Sequence, residues 1–544
     1  MNYLILGAII LIMIVLVIYR SKKGKKKDKI DRLRFEWGKP KTESFNFYTI
    51  KKFDDVVNEN EFHRLTNQTI EDIDFYRLFI LIDRTTSRVG QQFLYKKLLH
   101  PNNSTNDPLH KFIELFSTDQ QVREETQAVI STLSDTDAYY IPSLLQPKLL
   151  ERPSWLNLLI ANIFVVICLL ILSFKFPVCL IFLIGPLTIN MLLHYWNKNN
   201  TYQFTRSIPQ LNLLIYVSKI MSKKGDVFAD PSVESSISNL KSFQQKTTLI
   251  NFDQSAGFQA ELSQLGSYLA ELLNAFFLVE VFVLFKAIAE LEKNQSSILT
   301  LFNYIGKIDA AISIASLRAG SLKTCQPVFI ATKKELVTTN VYHPLIDKCV
   351  NNSLSINNKG ILITGSNMSG KSTFLRTLML NSILAQTIYT CFGDKFISPI
   401  VKQFSVIRID DNIFEGKSYY LQEVNMLGSL IAEIESSDQN LFILDEVFKG
   451  TNTIERIAAA KAVLSYLNRN NNIVVVSTHD IELTNLLKAE YELYHFTDTV
   501  VDDQLHFDHL IKPGQLKTTN AIKILELANY PSDIIDEARK NVVH

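Results

Sequence analysis

The loop Gly365-Ser-Asn-Met-Ser-Gly370-Lys371-Ser372 sits between the apolar run Ile361-Leu362-Ile363 and the helical run Phe374 to Ala385. Glycines at both ends of such a loop let backbone N–H groups curl around phosphate oxygens, and the helix that follows adds the positive end of its dipole. At this spacing Lys371 reaches β- and γ-phosphates and Ser372 holds Mg²⁺. Gly365, Ser366, Asn367, Met368, Ser369, Gly370, Lys371, Ser372 and Thr373 are thus the expected ATP-binding residues. A second run, Leu441-Phe442-Ile443-Leu444-Asp445-Glu446, ends an apolar strand in two carboxylates. Alone, such a pair is more often a solvated strand end. Beside a phosphate loop, Asp445 suits Mg²⁺ and Glu446 suits the polarisation of an attacking water. A third strand, Ile473 to Ser477, leads to Thr478-His479-Asp480, which places His479 near the γ-phosphate or the water. A lone histidine there would more often be structural.

These residues need a sheet to hold them. From residue 328 to 544, short β-rich runs (GILITG, QFSVIRI, NLFILDE, NIVVVSTH) alternate with helical stretches. That pattern predicts an α/β phosphate-loop ATPase domain with a mostly parallel sheet covered by helices. Residues 53–155 and 197–327 read as helical instead, an all-α core with lever helices. Neither region carries a fixed-period repeat or a heptad array long enough for an extended coiled coil.

Composition bounds the rest. The chain has 544 residues, enough for several domains, and a formal charge of +1 that argues for no particular partner. Its five cysteines form no C-x-x-C pair, so neither a disulfide framework nor a zinc site is expected. The apolar residues are localised. Tyr3 to Tyr19 carries no charge and is followed by RSKKGKKKDK, the order expected of an anchor rather than a cleaved signal. Leu156 to Trp196 contains two apolar runs separated by Lys175-Phe176-Pro177, which reads as a membrane hairpin. Tyr268 to Leu291 is interrupted by Glu271, Glu280 and Lys286 and reads as a helix buried in protein. The expected organisation is a transmembrane anchor at 1–20, a basic cytoplasmic linker at 21–52, helical core at 53–155, a membrane hairpin at 156–196, helical lever at 197–327 and the ATPase at 328–544. With three spans, the protein would be a multi-pass protein of the cytoplasmic membrane, its ATPase facing the cytoplasm.

Several motifs, in one order, resemble the MutS family. They are Tyr342-His-Pro-Leu345, the Asn367-Met368 form of the phosphate loop, Asp445-Glu446 followed by Gly450-Thr451-Asn-Thr, Ser477-Thr478-His479 with Glu482-Leu483-Thr484, and Lys512-Pro513-Gly514 with the tail through Arg539. Thr85 to Pro101, with Gly90, and Ile308-Asp309 with Ala315 are similar to the family's core more loosely. The resemblance implies a dimer, here a homodimer, with a composite site. In it Ser418, of Gly416-Lys-Ser418-Tyr-Tyr-Leu-Gln-Glu423, reaches in trans to the γ-phosphate held by the other subunit. From the residues alone, Ser418 reads equally as a helix N-cap with Glu423 on a solvated face. The resemblance also implies DNA as a partner and DNA mismatch repair as the setting. Phe448 replaces a usual glycine and Asn452 a usual serine, and the segment before Ser418 is shorter than the family's. An anchor and linker stand where the mismatch-reading domain belongs, so mismatch recognition is not carried over. A membrane ATPase acting on a non-DNA partner, as an assembly factor or a transporter-like motor, is the alternative. Ser-Tyr-Tyr-Leu-Gln-Glu is not a transporter's Ser-Gly-Gly-Gln signature, and a scaffold with a decayed site is disfavoured because the hydrolytic residues are all present.

Overall fold

A computed structural model of the chain describes residues 24, 27–57, 61–104, 107–146, 156–200, 202–247, 276–331, 333–408, 419–435, 438–501, 504–516, 521–528 and 530–542. The chain divides into two compact units, one of residues 1–59, 83–96 and 111–316, the other of 60–82, 97–110 and 317–544.

Among its described residues the first unit contains helices and no strand. Its core is built on the helix Gln295–Arg318, where Leu301, Phe302, Ile305, Ile308, Ile312 and Ala315 recur at helical spacing and are buried. Asp309 lies on the same helix, fully buried, and accepts hydrogen bonds from the Thr86 N–H (2.9 Å), the Ser87 N–H (2.7 Å) and the Ser87 hydroxyl (2.6 Å). These donors open the helix Arg88–Leu99, whose orphan N–H groups need an acceptor. Gly90 leaves the room: a Cβ there would lie 2.2 Å from Asp309 Oδ2.

The apolar hairpin also belongs to this unit. Leu156–Ser173 is helical, as are Cys179–Phe182 and Ile184–Asn200. Asn162 Nδ2 donates to Asn190 Oδ1 (2.7 Å), and Asn190 Nδ2 donates to the Phe276 carbonyl (2.6 Å). Leu159 packs with Leu278 and Val281, the latter on the helix Val279–Leu291. The described part of the third apolar stretch is thus a packed helix, as expected. The reading of three spans is not supported by the described residues. The stretch 1–20 lies outside them. The hairpin's apolar helical stretches, Leu158–Ser173 and Cys179–Tyr195, have at most 17 residues, below the ~20 that typically cross a ~30 Å core. Among the described residues only Gln295–Arg318 is long and apolar enough by itself, and 78% of its apolar window is buried in protein.

In the second unit six strands form one sheet: β1 (Gly360–Thr364), β2 (Lys402–Val406), β3 (Asn440–Asp445), β4 (Ile473–Ser477), β5 (Tyr491–His495) and β6 (Lys512–Pro513). Their order is β6-β5-β1-β4-β3-β2, all neighbours parallel except β5 with β6. β1 and β4 are buried along their whole length, which is why they read as unbroken apolar runs. Four helices that follow or connect these strands are α1 (Lys371–Ile388), α2 (Tyr419–Glu433), α3 (Thr453–Leu467) and α4 (Ile481–Leu487). Leu427 and Leu430 of α2, Leu464 of α3 and Leu483 of α4 pack with Phe442 and Val474 of the sheet. Residues 60–82 are fastened here by Asp72, which accepts from Ser405 Oγ (2.7 Å) and the N–H groups of Ile407 (3.0 Å) and Arg408 (2.8 Å). All five cysteines are free thiols.

Candidate functional site

The site forms at the C-terminal ends of β1, β3 and β4, where ligands bind in open parallel sheets. Parallel register brings Ser477 beside both Ile363 and Asp445, so the loops after the three strands emerge together. After β1 the chain turns through Gly365 at φ +143° and Gly370 at φ +111°, both in the region that favours glycine. At Gly365 a Cβ would lie 2.8 Å from the Phe496 carbonyl oxygen, so no side chain fits the cradle. Asn367 to Ser369 makes a 3₁₀ turn closed by Ser369 Oγ on the Ser366 carbonyl (2.6 Å), with Met368 exposed. Gly370 then opens α1.

Lys371 is almost fully buried, and its ammonium donates to the carbonyls of Gly365 (2.6 Å) and Ser366 (3.0 Å). Burial pushes its pKa down, and Asp445 and Glu446 oppose that shift. Ser372 Oγ donates to Asp445 Oδ2 (2.6 Å), while Ser477 Oγ holds the other carboxylate oxygen. Thr373 follows on the first turn of α1.

Glu446 lies one residue past β3 at φ +55°, a left-handed conformation rare outside glycine. Its N–H donates to the Ser477 carbonyl (3.0 Å), which ties it to β4. Oε1 is 2.9 Å from His479 Nε2, and Oε2 is 3.1 Å from Lys449 Nζ. Burial would raise the Glu446 carboxyl, but His479 and Lys449 outweigh it and hold the pKa at about 2. His479 Nε2 also lies 3.4 Å from Lys371 Nζ, so it stands between the lysine and the carboxylate.

The structure thus brings together Lys371, Ser372, Asp445, Glu446 and His479. Ser418 and the side chain of Asn367 lie outside the described residues, as does the segment Ile409 to Lys417. Other residues at the site carried no motif of their own. Arg456 on α3 clamps Asp480 in two bonds (2.9 and 2.6 Å), fixing the loop that bears His479. His509 approaches the loop from the far end of the domain, its Nδ1 3.0 Å from the Ser369 carbonyl. Glu423 is not on a solvated face: it is 1% exposed, and its Oε1 accepts the N–H groups of Phe448 and Lys449 (3.3 Å for Lys449). A buried acceptor one turn along an amphipathic helix leaves no local signal, because the turn it serves lies 25 residues away.

This geometry can position a polyphosphate, a divalent cation and a water. Comparison with known proteins agrees. Residues 361–544 match the family model MutS domain V. The chain is similar to the DNA mismatch repair protein MutS of Pseudothermotoga lettingae, at 32% identity over 264 residues, covering 46% of this chain and 32% of that protein. It is likewise similar to the protein of that name from Petrotoga mobilis, at 31% over 313 residues (55% and 37%), and from Geobacillus kaustophilus, at 30% over 271 residues (47% and 30%). The chain spans about a third of the length of these relatives.

Proposed function

We propose that this chain is a MutS-type ATP hydrolase that works as a homodimer. The observation that carries the reading is the convergence of Lys371, Ser372, Asp445, Glu446 and His479 at the mouth of one glycine-flanked loop. Lys371 exchanges the loop carbonyls it now holds for phosphate oxygens, which a buried ammonium favours strongly. The Ser372 and Asp445 oxygens fit Mg²⁺, which keeps most of its shell for water and phosphate. Held there, the ion would neutralise charge on the phosphates. Glu446 accepts the proton of the attacking water, His479 orients it, and Ser418 completes the site of the second copy.

The relatives' printed name supports DNA as the partner and mismatch repair as the setting. The apolar hairpin supports attachment to the cytoplasmic membrane, because Leu158, Phe164, Ile171, Phe174, Ile181 and Leu192 are all more than 60% exposed. In this reading the hairpin lies against the bilayer while the ATPase stays on the cytoplasmic side. The test is the ATPase rate of detergent-solubilised protein with duplex, mismatched and branched DNA, beside Glu446→Ala. Stimulation that weakens with salt supports the DNA reading. A Glu446-dependent rate that no DNA changes removes DNA and points to a membrane-protein partner.

A further inference from the structure

The turn after Glu446 is built against the preferences of its own residues. Glu446 (φ +55°) and Phe448 (φ +63°) are both left-handed without being glycine, a conformation that needs outside support. The support comes from one face of α2. Glu423 Oε1 accepts the Phe448 and Lys449 N–H groups. Three residues earlier, the Tyr420 ring lies 6.1 Å from the Phe448 ring, which is itself buried among Leu427 and Leu430. Positions three apart on a helix point the same way, so ring and carboxylate grip the turn together. From that turn Lys449 reaches back to Glu446 Oε2 (3.1 Å).

We propose that Glu423 is a positioning residue, which sets the orientation of Glu446 by holding the 446–449 turn through two backbone hydrogen bonds. This rests on the ATP-hydrolysis reading. What Glu423 supplies is an acceptor at a fixed reach, not a charge. Burial raises its pKa above the ordinary glutamate value, and the backbone N–H groups oppose that shift.

Reach and charge separate in two variants of the full chain, Glu423→Gln and Glu423→Asp. Gln keeps an acceptor oxygen at the same length, whereas Asp keeps the charge but withdraws it by about 1.5 Å. Steady-state ATP hydrolysis and equilibrium binding of a fluorescent ATP analogue are measured on both, beside wild type and Glu446→Gln. The expected result is a Gln kcat within about threefold of wild type and an Asp kcat lower by about 10- to 100-fold, with nucleotide affinity unchanged in both. The reverse order, with Asp active and Gln inactive, overturns the proposal, as does a loss of kcat and affinity together. Equal kcat in all three chains overturns it too. If wild type hydrolyses no faster than Glu446→Gln, the ATPase reading itself fails, an outcome distinct from the other three.

Discussion

Replacing Glu446 by glutamine should leave nucleotide binding intact while removing both hydrolysis and a pH-dependent part of the stability. The carboxyl is held at about 2, against an ordinary value of 4.5, by His479 and Lys449. At 1.36 kcal/mol per factor of ten in proton affinity, that corresponds to an upper bound of ~3 kcal/mol favouring the charged form. The side chains of His479 and Lys449 are 42% and 41% exposed, so they regain water when the charge is lost, and about 1–2 kcal/mol is the net expectation. A depressed carboxyl stabilises the fold above its unfolded pKa and loses that stabilisation as pH falls through the folded one. The wild-type advantage over Glu446→Gln should therefore be full above about pH 4.5 and shrink steadily toward pH 2. Urea denaturation of both proteins from pH 7 down to the acid limit measures this difference directly. In the same preparations kcat should fall by about 10²- to 10⁴-fold, the range for loss of a general base. A stability difference that does not change between pH 7 and pH 3 would refute the account of how Glu446 is held. So would a Glu446→Gln enzyme that turns over at the wild-type rate.

Three further substitutions probe the scaffold. Gly365→Ala forces a side chain into a left-handed position 2.8 Å from the Phe496 carbonyl oxygen; ATP affinity should fall and thermal stability drop by about 1–3 kcal/mol, measured by nucleotide titration and melting. Arg456→Ala frees Asp480 from its two-bond clamp; kcat should fall roughly tenfold with KM little changed, since only the loop bearing His479 is loosened. In the helical unit, Gly90→Ala drives a methyl to 2.2 Å from Asp309 Oδ2 and should destabilise by about 1–3 kcal/mol, the usual range for overpacking, with site residues and nucleotide affinity untouched.

The catalytic loops were legible because each is contiguous: an apolar strand, a turn of fixed chemistry, then a helix. Parallel strands buried on both faces advertise themselves as apolar runs, and β1, β3 and β4 did. Pairings across sequence were not legible. Gly90 and Asp309 each stood out alone, yet nothing in either segment says that one makes room for the other. Asp72 fastening residues 60–82 to the end of β2 is hidden for the same reason. Of the two readings left open for its segment, the structure removes the solvated face for Glu423, whose partners are backbone N–H groups that every residue but proline carries and that therefore leave no signal in sequence. In the hairpin the break at Lys175-Phe176-Pro177 was visible, because a charge and a proline interrupt the apolar run there, and Cys179–Tyr195 then runs on as apolar helix.

In the proposed function the loop at 365–373 binds ATP for hydrolysis. The most direct test is single-turnover conversion of γ-labelled ATP by the full-length chain with Mg²⁺, beside Lys371→Met, which removes the ammonium now hydrogen-bonded to the Gly365 and Ser366 carbonyls. Wild-type turnover together with a Lys371→Met protein that neither binds nor cleaves ATP is the predicted result. Equal cleavage by the two proteins, or none by either, would contradict the account at its foundation.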